Sequence, residues 1–146
     1  MVVAVVVAPA LGLRWWAATG QGAFESPWPA ADGPATRLAV TTTPTLADAH
    51  IEAWPLDGEL EALRDVAAQP TAVVPVAVAR GTLDAFVVDC CHAWDHAPWI
   101  LITVEAGGRF SDWAGGESPH HQGGVFSNRA LHDELLAFLR RVHPQK

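Results

Sequence analysis

Val2 to Ala8 is an unbroken apolar run rich in Val, the pattern of a strand buried on both faces. Pro9 to Gly12 can turn the chain, and Leu13 to Thr19 reads as a returning strand that carries Trp15 and Trp16. Gly20 to Pro34 is rich in Gly, Pro, Ala and Ser around Pro27-Trp28-Pro29 and reads as a long loop. Arg37 to Thr43 and His50 to Trp54 are predicted strands, with Pro44 between them. Asp57 predicts the N-cap of a helix through Gln69, with Leu60, Leu63 and Ala67 as its inner stripe and Pro70 as its stop. Ala72 to Ala79 reads as another apolar strand, and Pro75 assigns it to an edge or a bulge.

From Thr82 to His92 the pattern has no period-two alternation, because Val87-Val88 and Cys90-Cys91 are adjacent pairs. At helical period Leu83, Phe86, Val87, Cys90, Cys91, Ala93 and Trp94 share one face, so a helix capped by Thr82 and stopped by Pro98 is predicted. Trp99 to Glu105 then reads as a strand, and Ala106-Gly107-Gly108 as a hairpin turn into Arg109-Phe110. Ser111 to Gly124 is irregular. A last helix opens at Ser127 or Asn128 and runs to about Val142, with Leu131, Leu135, Phe138 and Leu139 on one face. Several strands precede alternating helices and strands. The expected fold is therefore α+β, a mixed or mainly antiparallel sheet with about three helices packed on one face, an α/β sandwich spanning residues 1–146 as one domain.

Composition narrows the function classes. Half of the 146 residues are apolar and 17% are charged, which specifies a folded core. The net charge of -7 lacks the basic footprint that nucleic acid or an anionic membrane requires, and it suits a basic protein partner. The dominance of Ala, Val and Arg, with Lys146 as the only lysine, resembles a GC-rich bacterial protein. Two adjacent cysteines do not make a disulfide scaffold, so a reducing cytoplasm is expected. No cation precedes the first apolar run, which is also far below membrane-spanning length. It is expected to be a strand and not a leader or a transmembrane segment.

The densest cluster of chemistry is DCCHAWDH, Asp89 to His96. On the predicted helix Cys90 and Trp94 face the core, while Asp89, His92 and His96 form an outer stripe at i, i+3, i+7 spacing. Three such donors on successive turns can hold a divalent metal such as zinc if His120, His121 or Asp112 supplies a fourth. The plainer alternative is a solvated Asp–His pair and histidines that complement a helix end. Cys90, expected to be buried, is inert as a nucleophile.

The segment SDWAGGESPHHQGG, Ser111 to Gly124, gathers Ser, His and acidic residues but has no G-x-S-x-G elbow. It also contains no dinucleotide or phosphate-cradling glycine pattern. Seven tryptophans and no tyrosine are unusual. Trp16, Trp54, Trp94 and Trp99 are expected in the core, Trp15 can face either way, and Trp28 and Trp113 are candidate surface anchors together with Asp112 and Glu117.

Two functions are consistent with these features. The first is a small acidic intracellular module without catalytic activity that binds a partner, as an immunity protein or antitoxin does. The alternative is a small enzyme, or a small-molecule or metal-binding protein. Its site would be lined by His92, His96, His120, His121, Asp89, Asp112 and Glu117.

Overall fold

The computed structural model describes residues 1–30, 33–55, 63, 65–67, 74–90, 92–120 and 123–142. An antiparallel meander opens the chain: β1 (Val3–Ala8), β2 (Leu13–Ala18), β3 (Gly22–Pro27) and β4 (Thr36–Arg37), in that spatial order. Gly12, at φ 63°, takes the left-handed conformation that closes the tight β1–β2 turn. The second sheet is mixed, with spatial order β5 (Ile51–Trp54), β6 (Ala85–Val88), β8 (Gly124–Ser127), β7 (Arg109–Ser111). β5 and β6 run parallel, and the other pairings are antiparallel.

Three helices are found among the described residues: α1 (Val74–Ala79), α2 (Ala93–Glu105) and α3 (His132–Val142). The expected α+β class, with mixed and antiparallel sheets and three helices, is the observed one. α1 and α2 lie between the two sheets. Leu101 and Ile102 of α2, with Ala106 at its C-cap, pack with Ala4, Trp15 and Ala17 of the first sheet, while Ile100 and Trp99 meet Phe86, Phe110 and Phe126 of the second. α3 covers the far face of the second sheet, where Leu131, Leu135 and Leu139 pack on Ile51, Ala53, Val87 and Val125. No helix among the described residues is long and apolar enough to cross a membrane.

Several expected elements are corrected. β3 falls inside the expected loop from Gly20 to Pro34, and only Thr36–Arg37 of the strand expected at Arg37 to Thr43 is paired. The segment Ala72 to Ala79, read as a strand, contains α1, and Trp99 to Glu105, also read as a strand, is the body of α2. The helix expected from Thr82 to His92 is instead β6 and the segment leading to α2. β6 is buried on both faces, so its apolar run has no alternation to betray it. Pro98 does not stop a helix; it lies inside α2. The helix expected from Asp57 to Gln69 falls almost wholly outside the described residues. β1, expected to be buried on both faces, keeps Val3, Val5 and Val7 exposed.

A buried polar network joins β7, β8 and α3. His132 is fully buried; its Nδ1 lies 2.7 Å from Ser127 Oγ and its Nε2 lies 2.9 Å from Ser111 Oγ. The Ser127 hydroxyl donates to the Asn128 carbonyl at 3.0 Å, so the neutral ring donates from Nδ1 and accepts the Ser111 hydroxyl at Nε2. Burial, aided by the positive charge of Arg109 and opposed by Asp133, pushes the imidazole down to about 4. The unfolded ring titrates near 6.5, so the unfolded chain binds the extra proton between those two values. Stability is therefore expected to fall as pH drops from about 6.5 to about 4, by about 3 kcal/mol from this group. Urea titrations at pH 7.5 and pH 4 should show that loss in the parent beyond the loss in His132→Gln. Equal losses in the two proteins would contradict the assignment.

Candidate active site at the start of α2

β5 and β6 are parallel and end side by side, with the Asp89 amide donating to the Trp54 carbonyl at 3.2 Å. The chain leaves β6 at Val88, passes Asp89 and Cys90, and enters α2 at Ala93. The space beyond the carboxyl ends of parallel strands, facing a helix start, is where open α/β sheets place ligands. The local sequence builds this corner. His92 is the extended N-cap of α2, and Asp95, three residues on, accepts the His92 amide at 3.1 Å through Oδ2. The Asp95 amide in turn donates to the His92 carbonyl at 2.9 Å. The Asp95 carboxylate thus satisfies the N-cap amide at the helix start, and it stands exposed in the positive first turn of α2.

Two aromatic groups flank Asp95. Trp94, 72% exposed, stacks on the His92 ring with centroids 4.4 Å apart. His96 points the other way, into the core, at 3% exposure, against Phe110 and Phe126 with centroids at 6.0 and 5.6 Å. Neither His96 ring nitrogen has a hydrogen-bond partner. Burial, opposed by the nearby Asp95 charge, lowers its pKa, so it is a neutral spacer and not a base at the surface. Behind the corner, Trp113 donates its indole N–H to the Val88 carbonyl at 3.3 Å. Gly123, at φ 82°, packs so closely that an added Cβ would meet the Val88 and Asp89 carbonyls at 3.0 and 3.1 Å.

The sequence-predicted residues are redistributed. Asp89, His92 and His96 do not form a stripe: they occupy the end of β6, the N-cap of α2 and the core between α2 and the second sheet. His120 is exposed in the loop before β8, and His121 lies outside the described residues. Cys90, expected in the core, is exposed, as are Trp94 and Trp54. Trp113 and Asp112, expected on a binding surface, are buried, and Asp112 accepts the Gly116 amide at 2.6 Å. Trp28 is exposed at the end of β3, away from the helix start, and Glu117 is exposed in the groove beside Ile100 and Val104. Among the described residues no group of three or more His, Cys, Asp or Glu side chains comes together to hold a metal. Sequence reasoning passed over Asp95. An N-cap followed three residues later by an acid was the available signal, hidden once the helix was placed too early.

Comparison with known proteins places the chain as a whole. A family model described as the inositol monophosphatase family matches residues 1–144. The histidinol-phosphatase of Streptomyces coelicolor is 34% identical over 96% of this chain, and that of Mycobacterium tuberculosis is 36% identical over 94%. The solved structure of Mycobacterium tuberculosis SuhB superposes with a TM-score of 0.77 at 26% identity, covering 99% of this chain and 61% of that one. The chain spans about half the length of the curated relatives it matches, 56% in both histidinol-phosphatases. These relationships overturn the first functional expectation, a protein-binding module without catalytic activity, and favour the enzyme alternative. The acidic charge that suggested a basic partner is equally that of an ordinary enzyme surface. With a family match that runs from the first strand to the end of the last helix, the chain belongs to the inositol monophosphatase family.

Proposed function

We propose that this chain carries part of the active centre of a phosphomonoesterase acting on a small polar organic phosphate, with the start of α2 as its phosphate-facing wall. The observation that carries the reading is Asp95, an exposed carboxylate fixed in the first turn of α2 beyond the paired carboxyl ends of β5 and β6. Family membership and the two histidinol-phosphatases supply the reaction class.

Each group has a defined part. The amides of the first turn of α2 and the helix dipole attract and orient phosphate oxygens. Asp95 would repel the same phosphate unless a cation lay between them, and a carboxylate oxygen suits a hard cation such as Mg²⁺ or Ca²⁺ better than it suits zinc. Calcium is bound in the crystal structure of an inositol monophosphatase family protein from Staphylococcus aureus. The described residues around Asp95 do not by themselves make up a metal-binding set. The stacked His92 and Trp94 rings form an aromatic wall beside the carboxylate, placed to exclude water from one side of a bound ester. A cytoplasmic setting accords with the free Cys90.

Titration of the ¹⁵N-labelled chain with inorganic phosphate in the presence of Ca²⁺ tests the reading. Resonances of Asp89 to His96 are expected to move together with millimolar affinity. Shifts confined to other surfaces would refute it.

A further inference from the structure

The peptide that joins Val88 to Asp89 is the last of β6 before the chain turns toward α2, and both of its polar atoms are engaged. Its amide donates to the Trp54 carbonyl at the end of β5, 3.2 Å away. Its carbonyl accepts the indole N–H of Trp113 at 3.3 Å. The first partner is neighbouring backbone; the second is a buried side chain that arrives from the loop after β7. With only two soft dihedrals per residue, holding both ends of this peptide sets the direction in which Asp89 and Cys90 leave the sheet for the N-cap at His92. Gly123 closes on the same point, since an added Cβ would lie 3.1 Å from Trp113 Nε1 as well as against the Val88 and Asp89 carbonyls.

Trp113 is itself held on a closed turn. The Asp112 amide donates to the Gly116 carbonyl at 2.7 Å, and the Gly116 amide returns to Asp112 Oδ1 at 2.6 Å. The Gly115 amide donates to the Asp112 carbonyl at 3.0 Å. Gly115 takes φ 91°, and an added Cβ there would meet Arg140 Nη2 at 2.7 Å. From the last turn of α3, Arg140 donates through Nε to the Trp113 carbonyl at 3.4 Å and through Nη2 to the Ala114 carbonyl. The rigid guanidinium fork thus clamps two successive carbonyls of the turn. Trp113 also belongs to the apolar core beneath α3, but a core filler needs only its ring. The N–H given to the Val88 carbonyl is what filling does not require.

We infer that Trp113 is a positioning residue for the start of α2, and that Arg140 supports it from the far side of the second sheet. The brace runs from α3 through Arg140 and the 112–116 turn to Trp113, and from its indole N–H to the Val88–Asp89 peptide. The brace stands on these bonds alone; its effect on phosphate rests on the phosphatase reading.

The test uses the ¹⁵N-labelled chain with inorganic phosphate and Ca²⁺. Trp113→Phe keeps a ring in the wall and removes the N–H, and Arg140→Gln removes the clamp at an exposed position. Without any ligand, Trp113→Phe is expected to speed hydrogen exchange of the Asp89 amide by about tenfold, the scale of one lost hydrogen bond. With phosphate, Trp113→Phe should weaken binding by about 3- to 10-fold and Arg140→Gln by less. The double variant should bind no more weakly than Trp113→Phe, because the two residues act in series. Leu38→Val trims a core side chain of the first sheet; it should melt earlier than the parent and bind phosphate equally well. Unchanged Asp89 exchange in Trp113→Phe would overturn the inference. So would faster exchange with unchanged phosphate affinity, an additive double variant, or a Leu38→Val that loses affinity in step with stability. Resonances of Asp89 to His96 that ignore phosphate in the parent would refute the phosphatase reading, and the exchange measurement would still decide the brace.

Discussion

Replacing Asp95 by Asn is expected to weaken the Ca²⁺-dependent binding of phosphate to this chain by about 10- to 100-fold, the effect of losing one charge-assisted contact. The substitution keeps the size and polarity of the side chain, and an Asn oxygen can still accept the His92 amide, now at 3.1 Å from Asp95 Oδ2. The helix start should therefore lose less than about 1 kcal/mol, and melting should barely change. What disappears is the negative charge at the mouth of α2. The reasoning is electrostatic. A carboxylate in the first turn of a helix strengthens the helix but repels an anion, so it is useful at a phosphate site only with a cation between the two. Asp133→Asn is the matching control, since Asp133 is exposed and ion-paired with Arg109 at 2.7 Å in another part of the surface. If Asp95→Asn binds phosphate as the parent does, while Asp133→Asn does too, the start of α2 is not the site.

The outer parts of the fold were legible in the sequence, and the middle was not. β1, β2 and β5 were located because each is a short, largely apolar run bounded by turn residues; α3 was recognised by its single apolar face but begun too early, since Ser127 ends β8 and the helix starts at His132. β3 of the first sheet was taken for a loop, but the exchanges of helix for strand lie in the central layers. α1 consists of Val, Ala and Pro, and α2 continues as PWILITV; both lie between two sheets, so both are apolar on nearly every side and lose the helical period. β6 is buried on both faces and loses the strand period for the same reason. Helix and strand exchanged places in the reading at the point where the topology turns from β6 to α2.

That exchange also scattered the site. A helix placed at Thr82 to His92 lines up Asp89, His92 and His96 as ligands and leaves Asp95 beyond its end. With the helix begun at Ala93, Asp95 becomes its first-turn acid and His96 a core residue. The tryptophans were misread by the same shift. Trp94 moved from a supposed inner face to the helix mouth, and Trp113 moved from a supposed surface loop to a wall behind β6. The valine face of β1 was the other misjudgement. Its continuous run implies cover on both sides, and the described residues cover one.

Trp15→Ala is expected to cost about 3–5 kcal/mol, the largest loss of stability from any single substitution considered for this chain. Trp15 is 1% exposed on the inward face of β2, where it fills the space between the first sheet and the central helices. Its ring lies 5.7 Å from Trp99 of α2, and the Arg80 guanidinium stands over it at 5.5 Å. The indole N–H donates to Glu25, which also accepts Arg80 Nε at 2.6 Å. Truncation to Ala thus opens a cavity, removes an aromatic contact and leaves the half-buried Glu25 with Arg80 alone. Trp15→Phe retains most of the volume but not the donor, so it should fall between the parent and Ala. Domains of this size are stable by only about 5–15 kcal/mol, so the Ala variant should unfold at markedly lower urea. Far-ultraviolet circular dichroism is the appropriate probe, because removing a tryptophan alters fluorescence by itself. A midpoint shift worth less than about 1 kcal/mol would mean that Trp15 does not join the first sheet to α2.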